Sequence, residues 1–250
     1  MSFAELHTQI NQKVLSAERA QRALHRSVAA GDLFDAILIA MSAEPDGFRK
    51  DVLTKLGQHC RQLRFEDLSL FAFAQAIREH ESVGDYASAG TLMLEVGSLY
   101  ARLANQGEAS FWFQRAREAS LAHSCYPNAA SASTHLAMLA MDDEDWLGAY
   151  TLAAASLDYL QREPHPRTDA ITRALLILLA EQLHRPMDEA LAHARTLFGT
   201  LSGAPISDRL RQDVCAALER QAATYLTAHP SVDGKAWKHA QLPELWRGDA

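Results

Sequence analysis

One recurring phrase constrains this chain more than any other feature: a helix breaker or acid, a short gap, then an alanine where two backbones would come closest. Gly31 precedes Ala36, Gly84 precedes Ala89, Gly107 precedes Ala109, Asp145 precedes Ala149, and Pro186 precedes Ala190. Ala109, Ala149 and Ala190 fall roughly 40 residues apart, with Pro127, Pro164 and Pro205 in step, and self-similarity at such a period marks stacked supersecondary units. Each unit is too small to bury its own apolar face, so the repeats bury theirs against one another.

Between the breakers the apolar residues recur at helical spacing. A first helix is expected from Phe3 to Ala30, with Leu6, Ile10, Val14, Ala17, Leu24 and Val28 inside. Gly31 would end it and Asp32 would cap a second, Leu33 to Ala43. Further helices follow over about 48–63, 67–82, 86–103, 107–123, 129–141, 146–161, 169–184, 187–201 and 208–227, the last capped by Ser207. The helix over 86–103 is placed to serve as the second of one pair and the first of the next. The apolar run Ile171, Leu175, Leu176, Leu178, Leu179 and Leu183 predicts a helix covered on both sides.

Composition narrows the function. With 250 residues and 48% hydrophobic content the chain can bury a substantial core. A net charge of −7 disfavours binding to nucleic acid through bulk attraction to phosphate, and the arginine pairs are interleaved with acids rather than gathered into a patch. Cys60, Cys125 and Cys215 are too few and too scattered for a disulfide framework, which points to a reducing compartment. The N-terminal segment lacks the apolar block of a signal peptide or the length of a membrane span, so a cytoplasmic location is expected. Arginine is used far more than lysine, a bias of GC-rich bacterial genomes.

Gly97, Tyr100, the turn Asn105–Gly107, Ala109, Phe113 and Ala116 stand where a tetratricopeptide repeat places its small and aromatic residues, and this unit resembles that family. The likeness is close over about 91–124. It weakens in the next unit, where Ala137, Trp146, Ala149 and Ala153 keep part of the pattern, and the spacing exceeds the family's usual figure of about 34. The resemblance implies an all-α, right-handed superhelix of antiparallel helix pairs over residues 1–228, followed by a tail over 229–250. It also implies a concave face, lined from the first helix of each pair, that takes a protein or peptide partner. Carried onto this sequence, that face would offer Gln21 and His25, Arg78, Leu94, Ser98 and Arg102, then Thr134, Met138 and Met141. The residues of the carboxylate clamp used by some family members are absent as a set. Met138 and the leucines further on are equally at home as core.

Chemistry is sparse. Glu181 and His184 form a Glu-x-x-His pair, half of a di-iron motif, and no second copy exists. His123, Cys125 and His135 match no zinc spacing. No phosphate loop, dinucleotide fingerprint or nucleophile elbow occurs. Of Phe111, Trp112 and Phe113, one of the first two should face a neighbouring helix or a partner. The tail carries Trp237 and Trp246 in polar surroundings, suited either to capping the last helix or to docking on a partner or another subunit. The expectation is a non-catalytic adaptor, chaperone or assembly factor without cofactor or metal, free to form a homo-oligomer. The alternative is a sensor that closes on a small signal peptide or metabolite.

Overall fold

The computed structural model describes residues 3–43, 47–200 and 206–241. Every regular element among them is helical. The chain forms two compact units, Met1–Cys125 and Tyr126–Ala250. In the first unit the helices are α1 (Phe3–Arg22), α2 (Arg26–Met41), α3 (Gly47–Gln62), α4 (Glu66–Ser82), α5 (Tyr86–Arg102) and α6 (Gln106–Ala122). The second holds α7 (Tyr126–Asp142), α8 (Trp146–Arg162), α9 (Pro166–Gln182), α10 (Met187–Arg195), α11 (Asp208–Ala228) and α12 (Gly234–Gln241). Each unit is an all-α stack of helix pairs, and short links reverse the chain between neighbours.

The links explain the regularity. Leu24, Arg64, Gly84, Ala104, Ser124, Glu144 and His184 all have φ between 50° and 76°, the left-handed region. The N–H of each donates three residues back, and the N–H of the next residue donates five back, as Asp85 does to the His80 carbonyl at 2.9 Å. This is the Schellman closure of a helix. The residue after the left-handed one then opens the next helix: the side chains of Asp85, Asn105 and Asp145 accept from the backbone N–H three residues on. One residue thus ends one helix and caps another, and two helices cannot drift in register.

Only Gly84 occupies its left-handed position without a Cβ. An L-residue there costs about 1–2 kcal/mol. Gly84→Ala should therefore lower stability by about 1 kcal/mol, and Glu144→Gly should raise it by up to about 1 kcal/mol. Thermal unfolding would show melting points moving in opposite directions; shifts of the same sign would mean that strain at the links is already relieved.

The first break differs from expectation. The helix does not run from Phe3 to Ala30 but ends at Arg22, and α2 continues through Gly31 and Asp32. Asp32 caps nothing: its carboxylate accepts from Ser16 at 2.6 Å and pairs with Lys13 at 3.2 Å, tying α2 to α1. Leu24 and Val28, expected in the core, are exposed because the link turns them outward. At the other end, α10 stops at Arg195 and gives way to a wider π turn over Thr196–Thr200, rather than continuing to 201.

Inside each pair, size is complementary. A Cβ on Gly57 would lie 2.5 Å from the Phe73 ring, and one on Gly97 would lie 2.6 Å from the Phe113 ring. The same two positions are Ala17 with Leu33 in the first pair and Ala137 with Ala153 in the fourth, all fully buried. In the fifth the order inverts to Ile177 with Ala194, both in the core that α9, α10 and α11 share. Ser69 adds a buried hydrogen bond to the Gly57 carbonyl at 2.8 Å, so α3 and α4 approach closely along a glycine face.

Candidate functional site

In the first unit, α3 and α5 lie side by side and leave a cavity of about 340 Å³ between them. Its walls are Asp51, Thr54, Lys55 and Gln58 from α3 and Ser88, Thr91, Leu92 and Glu95 from α5. His80, at the end of α4, is 5% exposed and closes the bottom. These side chains recur at helical spacing on one face of each helix, which is why they converge.

The floor is fully partnered. His80 Nδ1 meets Asp85 Oδ2 at 2.9 Å and its Nε2 meets Thr54 Oγ1 at 3.3 Å, while Lys50 pairs with Asp85 at 3.2 Å. Burial works against the Asp85 charge, but the Ser88 backbone N–H, His80, the Ser88 hydroxyl and Lys50 outweigh it and hold the carboxyl well below the usual carboxylate range. The order hydroxyl, imidazole, carboxylate is that of a hydrolytic triad. Thr54, however, donates to the Lys50 carbonyl of its own helix at 2.9 Å, so its proton is spent on the backbone. The arrangement braces three helices.

The rim is different. Glu95 is held by Arg61, an ion pair linking α3 to α5. The side chains of Asp51, Lys55 and Gln58 enter no hydrogen bond or ion pair among the described residues. All three are exposed. The cavity therefore offers a carboxylate, an ammonium and an amide above a rigid base, with Leu92 as its apolar wall.

The residues expected from the sequence are scattered relative to this site. Ser98 and Arg102 continue the α5 face that bears Thr91 and Glu95, and Leu94 is half-buried one step round the helix. Gln21 is half-buried with its amide reaching the Leu63 carbonyl at 3.5 Å, and His25 is the exposed residue that opens α2. Arg78 is exposed but belongs to α4, the second helix of its pair. In the second unit, Met138 is 42% exposed on α7, whereas Met141 packs on the cluster formed by Ala137, Ala149, Ala153 and Leu175.

Thr134 requires correction. It is 4% exposed, and its hydroxyl meets the Ala130 carbonyl, Ser156 and Thr172 within 3.0 Å, so it presents nothing to a partner. Trp237 stacks on Tyr225 at 5.0 Å between ring centroids, which sets it against α11. Trp246 lies outside the described residues. Phe111 is exposed, Phe113 is buried, and Trp112 lies between them beneath the Arg115 guanidinium. Glu181 is taken by Arg220 at 2.8 Å, and no group of three His, Cys, Asp or Glu placed to hold a metal occurs among the described residues.

Sequence reasoning missed Asp51, Lys55 and Gln58. A signal was present: Gln58 stands forty residues before Ser98, the period already visible in the alanines.

A second cavity, of about 460 Å³, lies in the other unit. Leu157, Leu160, Pro164 and Pro166 form apolar walls, and Asp169, Arg173 and His193 form a polar floor. Arg173 Nε donates to Asp169 at 3.0 Å. Burial, with the Arg173 charge beside it, pushes the His193 imidazole below its ordinary range.

No helix among the described residues is long and apolar enough to cross a membrane. No protein-family profile and no curated protein matches the chain. Solved structures do. BtubC (BKLC) from P. vanneervenii superposes with a TM-score of 0.55 at 16% identity, covering 82% of this chain and 95% of that one. A signal transduction ATPase with numerous domains and a tetratricopeptide repeat sensor, from Pyrococcus horikoshii, gives 0.60 at 12% identity over 95% of this chain. This chain spans 38% of that protein's length. At such identities the likeness establishes architecture alone, and the architecture is that of a helical-repeat protein.

Proposed function

We propose that the chain is a non-catalytic binding module of the tetratricopeptide kind, an adaptor, chaperone or assembly factor of the cytoplasm. Its partner, a stretch of protein or peptide, would lie along the α3–α5 face. The observation that carries this reading is the contrast within the site: Asp51, Lys55 and Gln58 are unspent above a floor whose polar groups are all engaged. A preformed floor leaves the ordering cost mostly to the partner. Mixed charges and an amide suit the alternating donors and acceptors of a peptide backbone and its polar side chains. They do not suit a nucleic-acid backbone, which calls for clustered positive charge.

Selection of a displayed random peptide library on the immobilised protein tests this. Enriched peptides are expected to bind at least about tenfold more weakly to an Asp51→Ala, Lys55→Ala, Gln58→Ala variant, a loss of about 1.4 kcal/mol. These changes remove no hydrogen bond or ion pair among the described residues, so folding should be unaffected. Failure to enrich any peptide, or equal binding to both forms, would defeat the reading.

A second reading, a sensor of a small signal molecule, draws support from the 460 Å³ cavity, whose size and mixed lining are those of small-molecule sites.

A further inference from the structure

The junction between α8 and α9 departs from the seven left-handed links in three ways at one place. First, the position that would carry the left-handed residue is Pro164, which cannot adopt it, and the flanking Glu163 and His165 are extended, with φ of −145° and −135°. The Schellman closure of those seven links is absent here. Second, beside Ile171, which packs on the cluster of Ala137, Ala149 and Ala153, the first two turns of α9 meet α7 and α8 through hydroxyls: Thr172 lies 2.8 Å from Thr134 and 3.2 Å from Ser156, and Thr168 lies 2.9 Å from Ser131. Third, the 460 Å³ cavity lies beside those same turns, between Leu157 and Leu160 of α8 and Asp169 and Arg173 of α9.

The hydroxyl contacts are unusual in what happens when they part. Thr172 also donates to the Thr168 carbonyl of its own helix, and Thr134 and Ser156 both reach the Ala130 carbonyl of α7. Each of these three protons has a home on its own side of the junction, so parting Thr172 from Thr134 and Ser156 orphans no donor. Further along α9 the packing becomes apolar, with Leu175, Leu176 and Leu179 seated against Ala137, Ala149 and Ala153. At that end Tyr150 of α8 also bonds Glu189 of α10.

We propose that α9 is an arm within the second unit, pivoting on Leu175–Leu179 while its first two turns swing away from α7 and α8. The movement shears the hydroxyl side chains and Ile171 past α7 and α8, and it widens the cavity bounded by Asp169 and Arg173. It is independent of the peptide site in the first unit.

Distances between paired spin labels test the arm, in the full chain with its three cysteines replaced by alanine and folding checked by circular dichroism. Asp158→Cys with Arg167→Cys reports the swinging end, and Asp143→Cys with Gln182→Cys reports the pivot. The distribution at the swinging end is expected to be at least twice as wide as at the pivot. Equal widths would overturn the proposal, and this comparison needs no interface variant. Adding Thr134→Val and Thr172→Val should narrow the swinging-end distribution, since valines have no in-helix bond to fall back on and gain by staying packed; a width unchanged in a folded variant would remove the hydroxyls from the explanation.

Discussion

Replacing Gly97 by alanine should lower the unfolding free energy by about 1–3 kcal/mol, a large share of the 5–15 kcal/mol that a domain commonly possesses. The added methyl would stand 2.6 and 2.7 Å from two carbons of the Phe113 ring, closer than real contacts allow. Phe113 is 1% exposed, so the ring cannot yield outward. The backbones of α5 and α6 must separate instead, and the loss spreads along the pair. Urea unfolding of Gly97→Ala, Phe113→Leu and the double variant would show whether contact is the cause. The double variant should be more stable than the sum of the two losses predicts, by about 0.5–3 kcal/mol. Simple additivity would mean that the glycine serves something other than the ring. Gly57 and Phe73 should behave alike, because the geometry there is the same.

The second large effect belongs to Asp85. Asp85→Ala removes a helix cap, the partner of Lys50 and the acceptor for a buried imidazole in one step. Loss of the cap alone costs about 0.5–2 kcal/mol, and leaving His80 without its acceptor adds about 1–3 kcal/mol. Asp85→Asn keeps the cap and should recover part of the loss. The pH dependence has a definite sign. The folded carboxyl titrates below its ordinary value of 3.8, so its stabilising effect is complete above that value and fades as the pH falls below it toward the folded value. Wild-type and Asp85→Asn proteins should therefore differ most near neutrality and converge in strong acid. A difference that grew on acidification would contradict the assigned hydrogen bonds.

Much of the fold was legible because breakers and periodicity agree. From α3 to α9 the expected helix borders fall within a few residues of the observed ones, since Gly84, Gly107, Asp145 and Pro186 sit in or beside the links. The break at Ala23–Leu24–His25 was not legible. None of those residues is a breaker, and the left-handed conformation of Leu24 is imposed by the packing of α1 on α2 rather than by local preference. Gly31 misled for the opposite reason: a lone glycine is tolerated inside a helix that tertiary contacts support. Placing the functional face needed the phase of each helix, and an error of one residue in that phase turns a side chain by about 100°. Thr134 shows the result, since it is helical as expected yet turned into a hydroxyl cluster that its composition did not announce.

The link in which one residue closes a helix and the next opens another has a consequence for how such a chain can lengthen. From Glu66 to Pro166 the helices begin twenty residues apart, and the paired core positions recur after forty. A duplication of forty residues would copy glycine beside phenylalanine and leave every neighbour its proper surface. A duplication of twenty would seat a second-helix face where a first-helix face belongs, setting ring against ring. An insertion of another size within a helix would turn its buried face out of phase with its neighbours. Growth of this scaffold is thus quantised by its turns, and a designer adding to it should work in whole pairs.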